Sequence, residues 1–529
     1  YFSRLSRAVR EEVHVKKREP ILEGSEWTVD ALAEFEEEIG RIAAERYRLD
    51  TYPIQIEIIS ADQMMDAYSS VGMPVGYHHW SFGKQFLSTE QRYRKGQIGL
   101  AYELVINSNP CISYLMEENS LTLQALVIAH ACFGHNSFFK GNYLFREWTD
   151  ASAIINYILF ARNYISECEE RHGVDVVEAL LDSCHALMNL GVDQFRRPRP
   201  ISAAEEERRQ KEREDYVQQN VNDLWRTIPK KKEKKEEEFP RFPSEPQENL
   251  LYFIEKSAPL LEPWEREIVR IVRQVALYFY PQRQTKLMNE GWATFWHYNL
   301  MNDLYDEGLI GEGNILEFLQ SHTGVIYQPE YDSPYFSGIN PYTLGFAMFS
   351  DIRRICEEPT DEDRRFFPDW AGGDWLETVH HAMANYKDES FILQFLSPTV
   401  IRNLKLFSIL DDDSDSAIQV TAIHDDEGYL RVREELASQY NISQQDPDIQ
   451  VWEVALRGDR SLTLRHTQRD RIQLDEDDAK EVLKHVHHLW RFDVHLESMQ
   501  DETVAQNYHC NEEKVWIDSA DGSKKSEKS

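Results

Sequence analysis

Two histidines interrupt an otherwise apolar run, "LVIAHACFGHNSFFKGNYLF" at residues 126–145: His130 and His135, with Gly134 just before the second. Imidazoles in such a segment need polar partners, and a metal ion is one of the strongest. The familiar zinc-hydrolase helix carries its histidines four residues apart, with a glutamate directly after the first. Here the spacing is five and Ala131 stands in the glutamate's place. In a regular helix five residues turn through about 500°, leaving the two rings about 140° apart. They converge only if the helix carries a π-bulge or ends near Gly134, and π-bulges are frequent at functional sites. The pair alone carries little weight, because 18 histidines in 529 residues give roughly 0.6 pairs at any chosen spacing by chance.

A second segment changes the reading. "KLMNEGWATFWHY" (286–298) holds Glu290 and His297 seven residues apart, within about 20° of one helix face. An ionisable pair beside Trp292, Phe295 and Trp296 is costly to bury without a partner. His130, His135 and Glu290 together reproduce, in outline, the two imidazoles and a carboxylate that hold Zn2+ in a hydrolase. His297, about 10 Å further along its helix, suits a supporting or substrate-facing group better than a fourth ligand. Attack of an activated water on an amide also needs a group to take its proton and deliver it to the leaving nitrogen. Ala131 cannot, so Glu103 and His297 are the catalytic candidates, with Glu117 and Glu118 also near in sequence. Each residue has a plainer reading too: a glutamate at a helix rim, a histidine satisfied in the core, or a structural network without metal. His78 and His79 could add a ligand or orient a substrate, but adjacent histidines in an aromatic loop are more often structural. Cys132 reads as a small core residue. His380, His381, His485, His487 and His488 are expected on solvated faces.

The elements that must position these groups are mostly helical. Apolar spacing predicts helices at 27–50, 120–139, 147–170, 174–191 and 341–357, with a strand at 55–60 and an ordered loop at 71–86. Residues 250–308 predict two amphipathic helices, the first ending before Pro281. Like-charge blocks and prolines mark 196–246 as a charged linker or insert. After 400 the pattern becomes strands alternating with helices near 426–440 and 476–494, an α+β texture. The expected fold is therefore mainly α with an α+β C-terminal domain and a helical, zincin-like core. The expected organisation is 1–195 and 247–400 forming the helical core, 196–246 the linker, 401–515 the small α+β domain and 516–529 a disordered tail.

A formal charge of −34 disfavours nucleic acid and anionic membrane as partners. Six scattered cysteines without a CxxC pair suit a reducing compartment. Residues 1–20 have no signal-peptide apolar region and no apolar run is long enough to span a bilayer, so the expected location is cytoplasmic.

Longer motifs carry a family resemblance. "VINSNPCISYLMEENSLTLQALVIAHACFGHNSFFKGNYLF" (105–145), "APLLEPWEREIVRIVRQVALYFYPQRQTKLMNEGWATFWHY" (258–298) and "GMPVGYHHWSFGKQF" (72–86) closely resemble the stage V sporulation protein R (SpoVR) family. The likeness covers most of residues 25–400 and extends to the C-terminal region. It implies a bacterial protein linked to spore-cortex formation in spore formers and present in many others. It also implies PrkA-type serine kinase and von Willebrand A-like partners, with peptidoglycan fragments as possible substrates. Two functions follow as expectations: a zinc-dependent peptidase or amidase acting on amide bonds of peptidoglycan peptides or precursors, or a non-enzymatic regulatory partner of the kinase system.

Overall fold

Helix Lys286–Asp306 is buried around most of its circumference, with Leu287, Trp292, Phe295, Trp296, His297, Leu300 and Leu304 all in the core. The computed structural model describes residues 19–21, 24–64, 76–77, 103–193, 241–331, 333–407, 425–442, 446–469, 472–501 and 503–519. Packing divides the chain into two compact units, Tyr1–Leu181 with Gln274–Asp446, and Asp182–Arg273 with Pro447–Ser529.

In the first unit the expectation that the second helix within 250–308 is amphipathic is corrected by helix Lys286–Asp306. A helix that is apolar on nearly every side belongs inside a core, not on its surface, and this one packs against helix Pro341–Glu357, helix Val29–Glu45 and the histidine segment. Close approach is built in. A Cβ placed on Gly345 would sit 2.6 Å from Gly291 Cα, and one on Gly134 would sit 2.6 Å from Ala293 Cα, so glycine at these positions lets backbones touch. The predicted stop before Pro281 is also corrected: helix Pro263–Gln284 runs through it. Pro281 falls in the last turn, where its missing N–H forfeits only one helical bond.

A three-stranded sheet lies against this core. Cys111–Met116 is central, parallel to Ile54–Ile59 and antiparallel to Glu103–Ile106, with Glu103 opposite Leu115. Alternation along the short edge strand puts Glu103 and Val105 on one face, and Val105 packs on the helical core. Helix Asp426–Gln439 also belongs to this unit, burying Tyr429, Val432 and Leu436 in the same cluster.

The start of helix Lys286–Asp306 is held from outside its own sequence. Thr285 gives no side-chain cap. Instead the buried Asp388 carboxylate accepts hydrogen bonds from Leu287 N (2.8 Å) and Met288 N (2.9 Å). Asp388→Ala is expected to strand both donors and lower unfolding free energy by about 2 kcal/mol, measured by urea denaturation.

The second unit contains a five-stranded sheet in the order Asp448–Val454, Leu462–Thr467, Val494–Gln500, Thr503–Cys510, Val515–Ser519. The second and third strands pair in parallel, which requires a crossover. Helix Glu476–Trp490 supplies it, burying Leu483, Val486, Leu489 and Trp490. The last strand carries the sheet past residue 515. Strand texture expected at 417–424 lies outside the described residues, as do residues 196–240 of the expected linker. Within 241–246, the Phe242 carbonyl accepts from Val454 N at 2.7 Å.

Candidate metal centre

The five-residue spacing is resolved by a π-helix. Ile128–His135 adopts the wider coil, entered from α-helix Leu121–Val127 and left by Asn136–Gly141. Asn136 N–H reaches back to Ala131 O, the i→i−5 bond of that conformation. Residues five apart then stand roughly one turn apart, so both imidazoles emerge on one side. The exit is tied down by a short chain: Trp292 Nε1 donates to Ser137 Oγ (2.9 Å), and Ser137 Oγ donates to Gly134 O (2.9 Å).

Four side chains from three elements meet here. His130 Nε2 lies 3.1 Å from Glu103 Oε1 and 3.8 Å from Glu290 Oε2; His135 Nε2 lies 3.5 Å from each of the same oxygens. Glu103, His130 and His135 each present one ligating atom, all within 4.8 Å of one another. Two donors each about 2.1 Å from a shared ion stand roughly 3–3.5 Å apart, so these separations suit a metal ion. The polar chemistry agrees. His130 Nε2 faces Glu103 without hydrogen-bond alignment, and Glu290 Oε2, also buried, has no hydrogen-bond partner among the described residues. Such atoms are costly to bury unless something further engages them.

The opposite ring nitrogens are engaged. His135 Nδ1 is 2.9 Å from Asn289 Oδ1 and His130 Nδ1 is 2.7 Å from His297 Nδ1. His297 Nε2 is in turn 2.9 Å from His322 Nδ1. His130 and His297 are fully buried, whereas the Glu103 and Glu290 side chains keep 14% and 19% of their exposure. The cluster therefore opens on its carboxylate side. Tyr342 stacks against His130, with ring centroids 6.3 Å apart.

Charge distribution follows from this packing. Burial opposes the Glu103 carboxylate, but the adjoining His130 and His135 hold its pKa below the usual range, and Glu290 is lowered similarly. Burial likewise opposes charge on His130, and the two carboxylates outweigh it and raise its pKa. Burial and the nearby His130 charge push His297 well below the imidazole range and His322 down to about 4.

Glu103, His130, His135, Glu290 and His297 thus lie together. His297 is enclosed, with both ring nitrogens engaged by histidines, which places it behind His130 and away from the open side. Asn289 and His322 complete the surroundings. Asn289 was signalled only by adjoining Glu290; His322, a single histidine in helix Glu312–Val325, had no signal. Cys132 is buried in the π-helix with its thiol pushed up to about 12 by burial, which makes it a core residue. Glu117 and Glu118 are exposed, and Glu118 accepts from Ala61 N at 3.2 Å. His380 corrects the solvated-face expectation: it is half-buried and bonds the Tyr47 carbonyl at 2.9 Å. His485 and His488 do likewise, sharing Ser183 Oγ at 3.2 and 2.8 Å. Polar partners explain why these rings tolerate partial burial. His78 and His79 lie outside the described residues.

Fold and site define a mainly helical protein with a buried histidine–carboxylate cluster able to hold a metal ion. The chain belongs to the SpoVR family: the SpoVR like protein family matches residues 26–445, and the SpoVR-like C-terminal domain matches 447–501. The two matches meet where the compact units divide, at Asp446 and Pro447. The chain is similar to a protein of Escherichia coli (strain K12) called "Uncharacterized protein YcgB", 64% identical over 481 residues, which cover 91% of this chain and 94% of the relative. No solved structure matches the chain. Among the described residues no helix is long and apolar enough to cross a membrane, and all six cysteines are free and buried.

Proposed function

We propose that the protein is a zinc-dependent hydrolase, zincin-like in its donor chemistry, that cuts amide bonds in peptidoglycan peptides or their precursors. The observation that carries this reading is the convergence of two histidine Nε2 atoms with two carboxylates at 3.1–3.8 Å. Bound zinc would polarise the amide carbonyl and acidify the attacking water.

His130 and His135 would offer their Nε2 atoms to the metal, since each ring's Nδ1 faces a partner of its own, His297 and Asn289. Distances favour exchanging the two carboxylate roles expected from sequence. Glu103, whose Oε1 is the nearer to His130, completes the three-donor set, and Glu290, the more exposed, takes the proton and returns it to the leaving nitrogen. His297 supports His130 from behind. The family's link to spore-cortex formation favours a wall-derived substrate. With a cytoplasmic protein, that substrate is a wall precursor or recycled muropeptide, and a PrkA-type kinase and von Willebrand A-like protein are the proposed partners.

The test is zinc-reconstituted protein incubated with muropeptides and cytoplasmic precursors, with products read by mass spectrometry. Glu290→Gln is expected to keep its metal and lose about 10²–10⁴ in turnover. Absence of any cleaved amide across that panel, with metal bound and both partners present, rejects the hydrolase reading.

A further inference from the structure

Behind the cluster, three buried imidazoles stand in series. His130 Nδ1 meets His297 Nδ1 at 2.7 Å and His297 Nε2 meets His322 Nδ1 at 2.9 Å, while His322 Nε2 is buried with no hydrogen-bond partner among the described residues. All three are 0–3% exposed. We propose that His297 and His322 are positioning residues, a two-imidazole relay whose hydrogen-bond direction fixes the Nε2 lone pair of His130 toward the metal cluster. The proposal rests on the metal reading of that cluster.

A neutral imidazole has one donor and one acceptor nitrogen, so a chain of three can run in only two directions. In the first, His130 Nδ1–H donates to His297 Nδ1, His297 Nε2–H donates to His322 Nδ1, and His130 Nε2 is left with a lone pair facing Glu103 and His135. In the second every bond reverses, His130 Nε2 carries the proton, and it cannot ligate. Metal-ligating histidines usually fix this choice by donating to a carboxylate or carbonyl. Here the acceptor is another imidazole, whose own direction is set only by His322.

The outer end shows what this arrangement costs. In the ligating direction His322 Nε2 carries a buried N–H that no described residue accepts, in a ring packed against Phe318, Tyr298 and Phe346, whose centroids lie 5.8, 4.8 and 4.9 Å from its own. Aromatic surroundings of this kind offer an N–H at most a weak acceptor. Phenylalanine would suit that aromatic pocket as packing, so retaining histidine there points to the relay rather than to core filling. Without His322 the metal-free chain can reverse so that His130 Nε2–H points to Glu103. The loss is therefore felt chiefly when His130 must ligate.

The full-length protein, His322→Phe and His322→Asn are to be compared for Zn2+ affinity by chelator competition, for the visible spectrum with Co2+, and for the thermal midpoint of the metal-free form. His322→Phe is expected to weaken metal binding about 10–100-fold and alter the Co2+ spectrum, with an essentially unchanged metal-free midpoint. His322→Asn, whose amide oxygen can stand near the Nδ1 position, is expected to restore most of the affinity. Unchanged affinity and spectrum in His322→Phe overturn the relay while the metal centre stands; so does equal loss in both folded variants, which would indicate packing. A wild-type protein that binds neither ion overturns the metal reading and the relay with it.

Discussion

His130→Ala is expected to empty the metal centre and abolish hydrolysis, the largest effect of any single substitution in the protein. His130 is the nexus of the site. Its Nε2 lies within 3.1 and 3.8 Å of the two carboxylates, and its Nδ1 anchors the His297–His322 chain. Losing one of three protein donors removes a quarter to a third of the roughly 10–16 kcal/mol typical of protein zinc sites, a loss of about 10²–10⁴-fold in affinity. The consequence extends beyond metal. In the metal-free protein His130 stands between Glu103 and Glu290, so its removal leaves two partly buried carboxylates facing each other. The carboxylates' partial exposure discounts that penalty, and metal-free His130→Ala is expected to be destabilised by about 2 kcal/mol. Chelator competition and denaturant titration separate the two effects.

Gly134→Val is expected to do comparable damage without touching a ligand. A Cβ at Gly134 would fall 2.6 Å from Ala293 Cα and 2.8 Å from Ala293 Cβ, and the obstacle is backbone, which cannot rotate away. The π-helix and helix Lys286–Asp306 would have to part. Overpacking of this kind costs about 3 kcal/mol, and the parting separates His130 and His135 from Glu290, Asn289 and His297, all on the opposing helix. A displacement of about 1 Å is enough to spoil such a constellation. The expected result is a less stable protein with little metal. Gly324→Ala serves as the control: a Cβ there meets nothing within 4 Å, and alanine in helix Glu312–Val325 should be neutral or slightly stabilising. Equal behaviour of the two variants in thermal melts and metal content would show that the close approach at Gly134 is unimportant.

The parts of the site legible in sequence were those governed by helix geometry. His130 and His135 can face one way only if the helix is widened or broken between them, and the π-helix at Ile128–His135 meets that requirement. Glu290 stood out because a carboxylate and an imidazole seven residues apart beside three large aromatics demand partners. Glu103 was harder, since its approach depends on an edge strand that pairs with Cys111–Met116 and turns one face inward. His322 was illegible: nothing local in helix Glu312–Val325 tells that one ring nitrogen will meet His297. The same limit applies to the fold. Amphipathic spacing gave the helices, but a helix buried on nearly all sides, such as Lys286–Asp306, differs from a surface helix only through its neighbours. Strand Val494–Gln500 is hard to read because Ser498 is buried while Met499 is not, which breaks the apolar–polar alternation, and Thr503–Cys510 is only partly buried over most of its length.

The most direct test is elemental analysis of the purified full-length protein after metal loading and extensive dialysis, beside His130→Ala prepared identically. About one zinc ion per chain in the wild type, as a single three-donor set requires, with little retained by the variant, is the predicted result. A folded wild-type protein that retains no metal, or a His130→Ala protein that retains as much as the wild type, would contradict it.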